Sequence, residues 1–239
     1  MKALELTYGN LLRMSFLVLN PFKKAVIKTQ CKVHKYINIQ ALKILKNDNH
    51  TSAYEFFGKY IMALNDGAVW ADQDFKSSGH FYNPHKKKGM YGAQNAMNLG
   101  RAYYQKSLDL WGLKEPEKSL FYLGAALHII QDMTIPQHAN IRLLDNHRQY
   151  ENFVKRTYQY CDDFKVESGA YRLNTIDEYI RFNARIALKI YKKFKIIPDT
   201  ELRYYRTTKC ILPLAARTTA GCMLTFYDDM KKEQRKKLH

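Results

Sequence analysis

His128 and Asp132 stand four residues apart inside an almost uninterrupted apolar run, Phe121–Met133. A segment that is apolar almost all round belongs in the centre of a helical core. Positions i and i+4 lie one above the other on one helix face, about 5–6 Å apart at Cβ, so this imidazole and this carboxylate share a side. Burying an unpaired carboxylate costs several kcal/mol, so the fold must bring a cation or strong donors to Asp132. A hydrogen-bonded His–Asp pair is one answer, and a bound metal ion is the other.

The rest of the chain reads as helices. Val33–Leu45 carries apolar residues at 33, 37, 41, 44 and 45, a helical period. Thr51–Met62 predicts a second helix, and Ala93–Leu110 a third. Between them, Asn65–Gly92 is rich in Gly, Asp, Asn, Pro, Ser and Lys and reads as a long loop, a length usually kept for function. Pro116 opens the central helix and Pro136 ends it; His147–Tyr160 is a further helix. Thr175 caps IDEYIRFNARIALKIYKKF, with Asp177 and Glu178 in its first turn and lysines in its last. Thr200–Lys231 holds one or two helices around Pro213. Strand-like alternation is scarce, so the expected class is all-α, a single multi-helix domain over residues 31–239 after an N-terminal extension, 1–30.

The net charge of +17 attracts polyanions, either nucleic acid or the anionic face of a bilayer. Lys86–Lys88 and Lys231–Lys237 are the densest clusters, and both read as solvated segments. Four cysteines, Cys31, Cys161, Cys210 and Cys222, lack CxxC grouping, which excludes a zinc ribbon and leaves room for one or two isolated disulfides. No apolar stretch reaches the roughly 18 residues of a membrane span. Leu11–Leu19 is apolar but interrupted by Arg13, with Glu5 upstream and no A-x-A site, so it predicts an amphipathic segment rather than a cleavable signal.

His147 and Glu151 repeat the four-residue spacing nineteen residues after the first pair. His138 lies between the pairs, and His34, Asp72 and His80 lie upstream; His50, His85 and His239 sit in polar or lysine-rich surroundings unlike ligands. Imidazole nitrogen and carboxylate oxygen without thiolate suit zinc of the catalytic kind. The order H…D…H…HxxxD…H…HxxxE, carried by VHKYINIQALKIL, WADQDFKSSGHFYNP, LGAALHIIQDMTIPQHAN and HRQYENFV, resembles the bacterial zinc-dependent phospholipase C family.

That resemblance implies an all-helical domain with a zinc cluster of two or three ions in a cleft. Asp72, His80, His128 and Asp132 would hold the first ion, His138, His147 and Glu151 the second, and His34 with the shared Asp132 the third. It implies hydrolysis of phospholipid at the glycerol–phosphate bond, with Asp72 as the catalytic group that orients or deprotonates water. The implied partner is an anionic phospholipid bilayer, with an extracellular or membrane-associated location, and the aromatic residues near His80 (Trp70, Phe75, Phe81, Tyr82) would help dock there. Fungal zinc nucleases look like distant relatives, but they usually end the pattern in HxxxD, so Glu151 favours the lipase over a single-strand nuclease. A catalytically inactive, basic membrane-binding helical protein is the third alternative.

Two departures stand out. Family members complete the third zinc with an N-terminal tryptophan exposed by processing, and Asn20–Lys24 (NPFKK) holds none. Cys31 is a geometrically possible substitute, though it reads more simply as a buried thiol. The family often has Tyr after the first aspartate, part of a choline pocket, where Gln73 stands here.

Overall fold

The computed structural model describes residues 31–73, 76–90, 94–141 and 146–236; the expected extension, with Leu11–Leu19, lies outside them. Among the described residues there are nine α-helices and no named strand. They are α1 (Lys32–Asn47), α2 (Thr51–Lys59), α3 (Ile61–Asp72), α4 (Ala96–Gly112), α5 (Pro116–Asp132), α6 (Pro136–Asn140), α7 (His147–Thr157), α8 (Ile176–Phe194) and α9 (Thr200–Lys236). Short 3-10 turns occupy Lys76–Gly79 and Asp162–Phe164.

Helix α5 is the axis of the molecule. Every residue from Leu123 to Asp132 is buried, and α3 and α4 flank it along most of its length. Pro116 starts it where a missing N–H costs nothing. The contact with α3 is backbone to backbone. A Cβ on Gly67 would lie 1.7 Å from the Phe121 carbonyl oxygen, and one on Gly124 would lie 2.0 Å from the Leu64 carbonyl oxygen. Against α4, Ser107 and Ser119 each donate a hydroxyl to the other's carbonyl, both at 2.7 Å.

This packing corrects the expected loop over Asn65–Gly92. The helix runs on through Asn65, Asp66 and Gly67 to Asp72. Asn65 accepts from Asn38 Nδ2 at 3.0 Å, and Gly67 is small because α5 leaves no room for a side chain. The expected helix over Thr51–Met62 is divided at Tyr60 instead. Pro136 opens α6, three residues after α5 has ended. Thr175 caps α8 as expected, accepting from the Glu178 N–H. Asn95 caps α4 in the same way through Asn98 N–H.

Helix α9 runs unbroken through Pro213. Proline inside a helix costs roughly 3 kcal/mol. Ile211, Leu212, Leu214, Ala215 and Ala216 are buried around it and offset that cost. The four cysteines are free thiols, so the disulfides that composition left open are absent. No described helix is long and apolar enough to cross a membrane.

Candidate metal centre

Helix α1 supplies His34, the last residue of α3 is Asp72, and His80 follows the 3-10 turn. The end of α5 supplies His128 and Asp132; α6 supplies His138, and the first turns of α7 supply His147 and Glu151. All eight residues singled out in the sequence meet in one place, in three sets whose ligand atoms lie within 4.8 Å of one another. These are His34, His128 and Asp132; Asp72, His80 and His128; and His138, His147 and Glu151. Asp72 thus belongs to a helix end and not to a loop. His50 begins a helix, His85 sits in an exposed turn, and His239 lies outside the described residues.

Asp132 is the hub. Its Oδ2 lies 2.7 Å from His80 Nδ1, 3.1 Å from His128 Nε2 and 3.8 Å from His138 Nδ1, and its Oδ1 lies 3.5 Å from His34 Nε2. His80 Nδ1 and His128 Nε2 face each other at 3.3 Å. In the second set, His138 Nε2 and His147 Nε2 approach to 3.0 Å, and Glu151 Oε1 lies 3.2 Å from His147 Nε2. His138 Nδ1 donates to the His80 carbonyl at 3.0 Å, so its Nε2 keeps a lone pair towards His147.

These spacings fit zinc. Legs of about 2.0–2.1 Å at tetrahedral angles separate neighbouring ligand atoms by roughly 3.3 Å. Lone pairs converging at that separation repel until a cation sits between them. Charge states agree. Burial alone would raise the pKa of Asp132, but His128 and His138 outweigh it and hold the carboxyl well below the usual range. Burial likewise opposes ionisation of Glu151, and the hydrogen bond and charge of His147 bring it down to about 2. Burial depresses His34 to about 4, helped by His128, and burial also lowers His138. At neutral pH the cluster holds at least two anions and at least two neutral imidazoles, the forms that bind metal.

A cleft of about 590 Å³ opens beside the cluster. His34, Asp72 and Glu151 face it, and Val33, Ile37, Ile135, Val154, Ile211 and Leu212 form an apolar wall. Lys32 and Lys155 also line it, with Lys155 Nζ 3.5 Å from Glu151 Oε2. Cys31 Sγ donates to Asp72 Oδ2 at 3.4 Å. Burial, then Asp72, raises its pKa, so it stays a thiol.

Of the described aromatic residues near His80, two face inward. Phe81 and Tyr82 are buried. Phe81 stacks on His138 at 4.6 Å between ring centres, while Trp70 packs on Tyr103, Phe121 and Tyr122. Phe75 lies outside the described residues. Sequence reasoning passed over Gln131, whose Oε1 lies 2.8 Å from His34 Nδ1. Its one signal was a second polar side chain beside Asp132 in the apolar run.

Known proteins are similar to this chain. A phospholipase C from Clostridium novyi is 26% identical over 236 residues, covering 84% of this chain and 59% of that protein. A phospholipase C from Bacillus cereus is 33% identical over 98 residues, covering 38% of this chain and 34% of that protein. The solved alpha-toxin of Clostridium absonum superposes with a TM-score of 0.72 at 16% identity, covering 85% of this chain and 65% of the toxin. The alpha-toxin of an avian Clostridium perfringens strain gives 0.72 at 19% identity. The chain therefore spans about six-tenths of the length of the Clostridium novyi enzyme. The zinc-dependent phospholipase C model matches residues 33–209, a stretch that contains all eight clustered residues and most of the chain, and the chain belongs to that family.

Proposed function

We propose that the chain hydrolyses phospholipid at the glycerol–phosphate bond, releasing diacylglycerol and a phosphorylated head group. The observation that carries this is a eight-residue His/Asp/Glu cluster opening onto a cleft with one apolar wall. An apolar wall suits glycerol and acyl carbons, whereas a nuclease needs aromatic platforms for bases. Among the described residues that line the cleft, Tyr150 is the one Phe, Tyr or Trp, and it is itself buried.

Two or three zinc ions would be held as follows: Asp72, His80, His128 and Asp132 for the first, His138, His147 and Glu151 for the second, and His34 with Asp132 for a third. When bound, zinc neutralises phosphate charge and lowers the pKa of water. The chain's own groups do the rest. Asp72, at the cleft face, orients the attacking water and takes its proton. Water oxygen bonds to phosphorus, the bond from phosphorus to the glycerol oxygen breaks, and that oxygen leaves as an alkoxide that takes a proton from solvent water to become diacylglycerol, while Asp72 returns its proton to solvent. Val33, Ile37, Val154 and Ile211 exclude water from the lipid side. Lys32 and Lys155 draw in an anionic head group and disfavour choline. The natural partner is accordingly an anionic bilayer surface, met outside the cell or at a membrane.

The test is hydrolysis of mixed phospholipid vesicles and of single-stranded DNA by the zinc-loaded protein and by Asp72→Asn. Diacylglycerol release that chelation abolishes, and that Asp72→Asn lowers about 100-fold or more at full zinc content, supports the reading. Cleavage of DNA alone moves the chain to nuclease chemistry. Zinc without turnover on either leaves a membrane-binding protein. Unchanged turnover in Asp72→Asn removes that residue from catalysis.

A further inference from the structure

A buried ladder of side-chain amides runs beneath the cluster and ends on one ligand. Asn38 Nδ2 on α1 donates to Asn65 Oδ1 on α3 at 3.0 Å. Gln131 Nε2 on α5 donates to Asn38 Oδ1 at 2.9 Å and to Thr219 Oγ1 on α9 at 3.2 Å. Asn38 and Thr219 are fully buried and Gln131 is 1% exposed. With its amino group committed twice, the Gln131 carboxamide cannot turn over by itself without setting oxygen against oxygen at Asn38, which in turn donates to Asn65. The ladder therefore turns its Oε1 towards His34 Nδ1, 2.8 Å away.

A carboxamide oxygen can only accept, so Nδ1 carries the ring hydrogen and Nε2 keeps its lone pair. That Nε2 is the atom 3.5 Å from Asp132 Oδ1. We infer that Gln131 is a positioning residue, whose ladder-fixed carboxamide locks His34 in the tautomer that offers Nε2 to a metal ion. The inference rests on the reading of His34 as a ligand. His138 is oriented by a different device, the His80 backbone carbonyl. His34, unlike His138, is thus a ligand whose aim depends on a replaceable side chain.

A ladder that merely glued helices together would predict something else. It would make Gln131 and Thr219 equivalent, since losing either breaks a buried hydrogen bond. The positioning role separates them. Thr219→Val removes one partner of the Gln131 amino group and leaves His34 its acceptor. Gln131→Leu removes the acceptor at similar volume, and Gln131→Glu restores one.

The experiment reads the ring ¹⁵N shifts of His34 in the metal-free protein near pH 7, then the number and affinity of Co²⁺ ions bound. The wild type is expected to show the Nδ1–H tautomer. In Gln131→Leu this gives way to a mixture, and the affinity of one ion falls about 10–100-fold, the usual cost of losing an outer-shell partner. The other ions are unchanged. Gln131→Glu and Thr219→Val keep both the tautomer and the ion. A wild-type His34 with the hydrogen on Nε2 overturns the inference whether or not any variant folds, and so does an unaltered tautomer in Gln131→Leu. If Gln131→Leu and His34→Ala both retain every ion, the ligand reading of His34 fails, and the metal-directed part of the inference falls with it.

Discussion

Asp132 concentrates the chemistry of the cluster in one side chain, with four imidazoles around it. Asp132→Asn keeps its shape and removes its charge. Turnover should fall at least about 100-fold, the scale of several kcal/mol of lost charge stabilisation, with a measurable drop in zinc content. Retained zinc and turnover would remove Asp132 from the centre. The same neighbourhood sets a pH response in the metal-free protein. His34 titrates at about 4 when folded, against an ordinary value of 6.5, and His138 is lowered too. Between those values the unfolded chain binds more protons, so stability is full above 6.5 and drains away as pH falls towards 4. Asp132 and Glu151, held low, add a loss of the same sign below the usual carboxylate range. His128 is raised and acts in the opposite sense, losing its contribution as pH rises through its folded value. Denaturant unfolding of chelated protein at pH 7, 5.5 and 4 should show a falling midpoint, with a smaller fall in His34→Gln. A flat profile would contradict the burial argument.

Among the helices, the contact that positions Asp72 beside His128 is the Gly67–Gly124 crossing. Gly124→Val would press a side chain onto the Leu64 backbone, which cannot yield as a flexible side chain would. The expected loss is about 3 kcal/mol, or roughly 6–12 °C in Tm, with weaker zinc binding because α3 is displaced. An unchanged Tm would mean that the two helices sit further apart. This crossing also explains where sequence reasoning stopped. Local signals carried α8, whose cap, acidic first turn and basic last turn are all written within nineteen residues. They carried α5 equally well, and through the two HxxxD/E pairs half of the eight clustered residues. They misled at Asn-Asp-Gly, because the reasons for Asn65 and Gly67 lie on α1 and α5, far away in sequence. The cleft wall was invisible for a similar reason. Val33, Ile135 and Ile211 belong to unrelated segments, and no periodicity joins them.

For the molecule as a whole, an excess of seventeen positive charges should hold it on anionic vesicles through long-range attraction. Binding to phosphatidylglycerol vesicles should weaken at least about tenfold between 50 and 500 mM NaCl, as the screening length shrinks. Vesicle flotation measures this, and salt-insensitive binding would point to apolar insertion instead. Bound zinc would tie five helices and the segment after a 3-10 turn into one unit, so chelation should lower Tm by about 5–10 °C for each ion present at a hundred times its Kd. The cluster also has an unequal history within the chain. His138 and His147 are 9 residues apart, whereas His80 and Asp132 are separated by 52 and His34 and Gln131 by 97. Closing a short loop sacrifices less chain freedom than closing a long one. On an emerging or refolding polypeptide, the half built on α6 and α7 can therefore assemble early from neighbouring residues. The half around Asp132 waits until α1, α3 and α5 have docked, so it reports the completed fold.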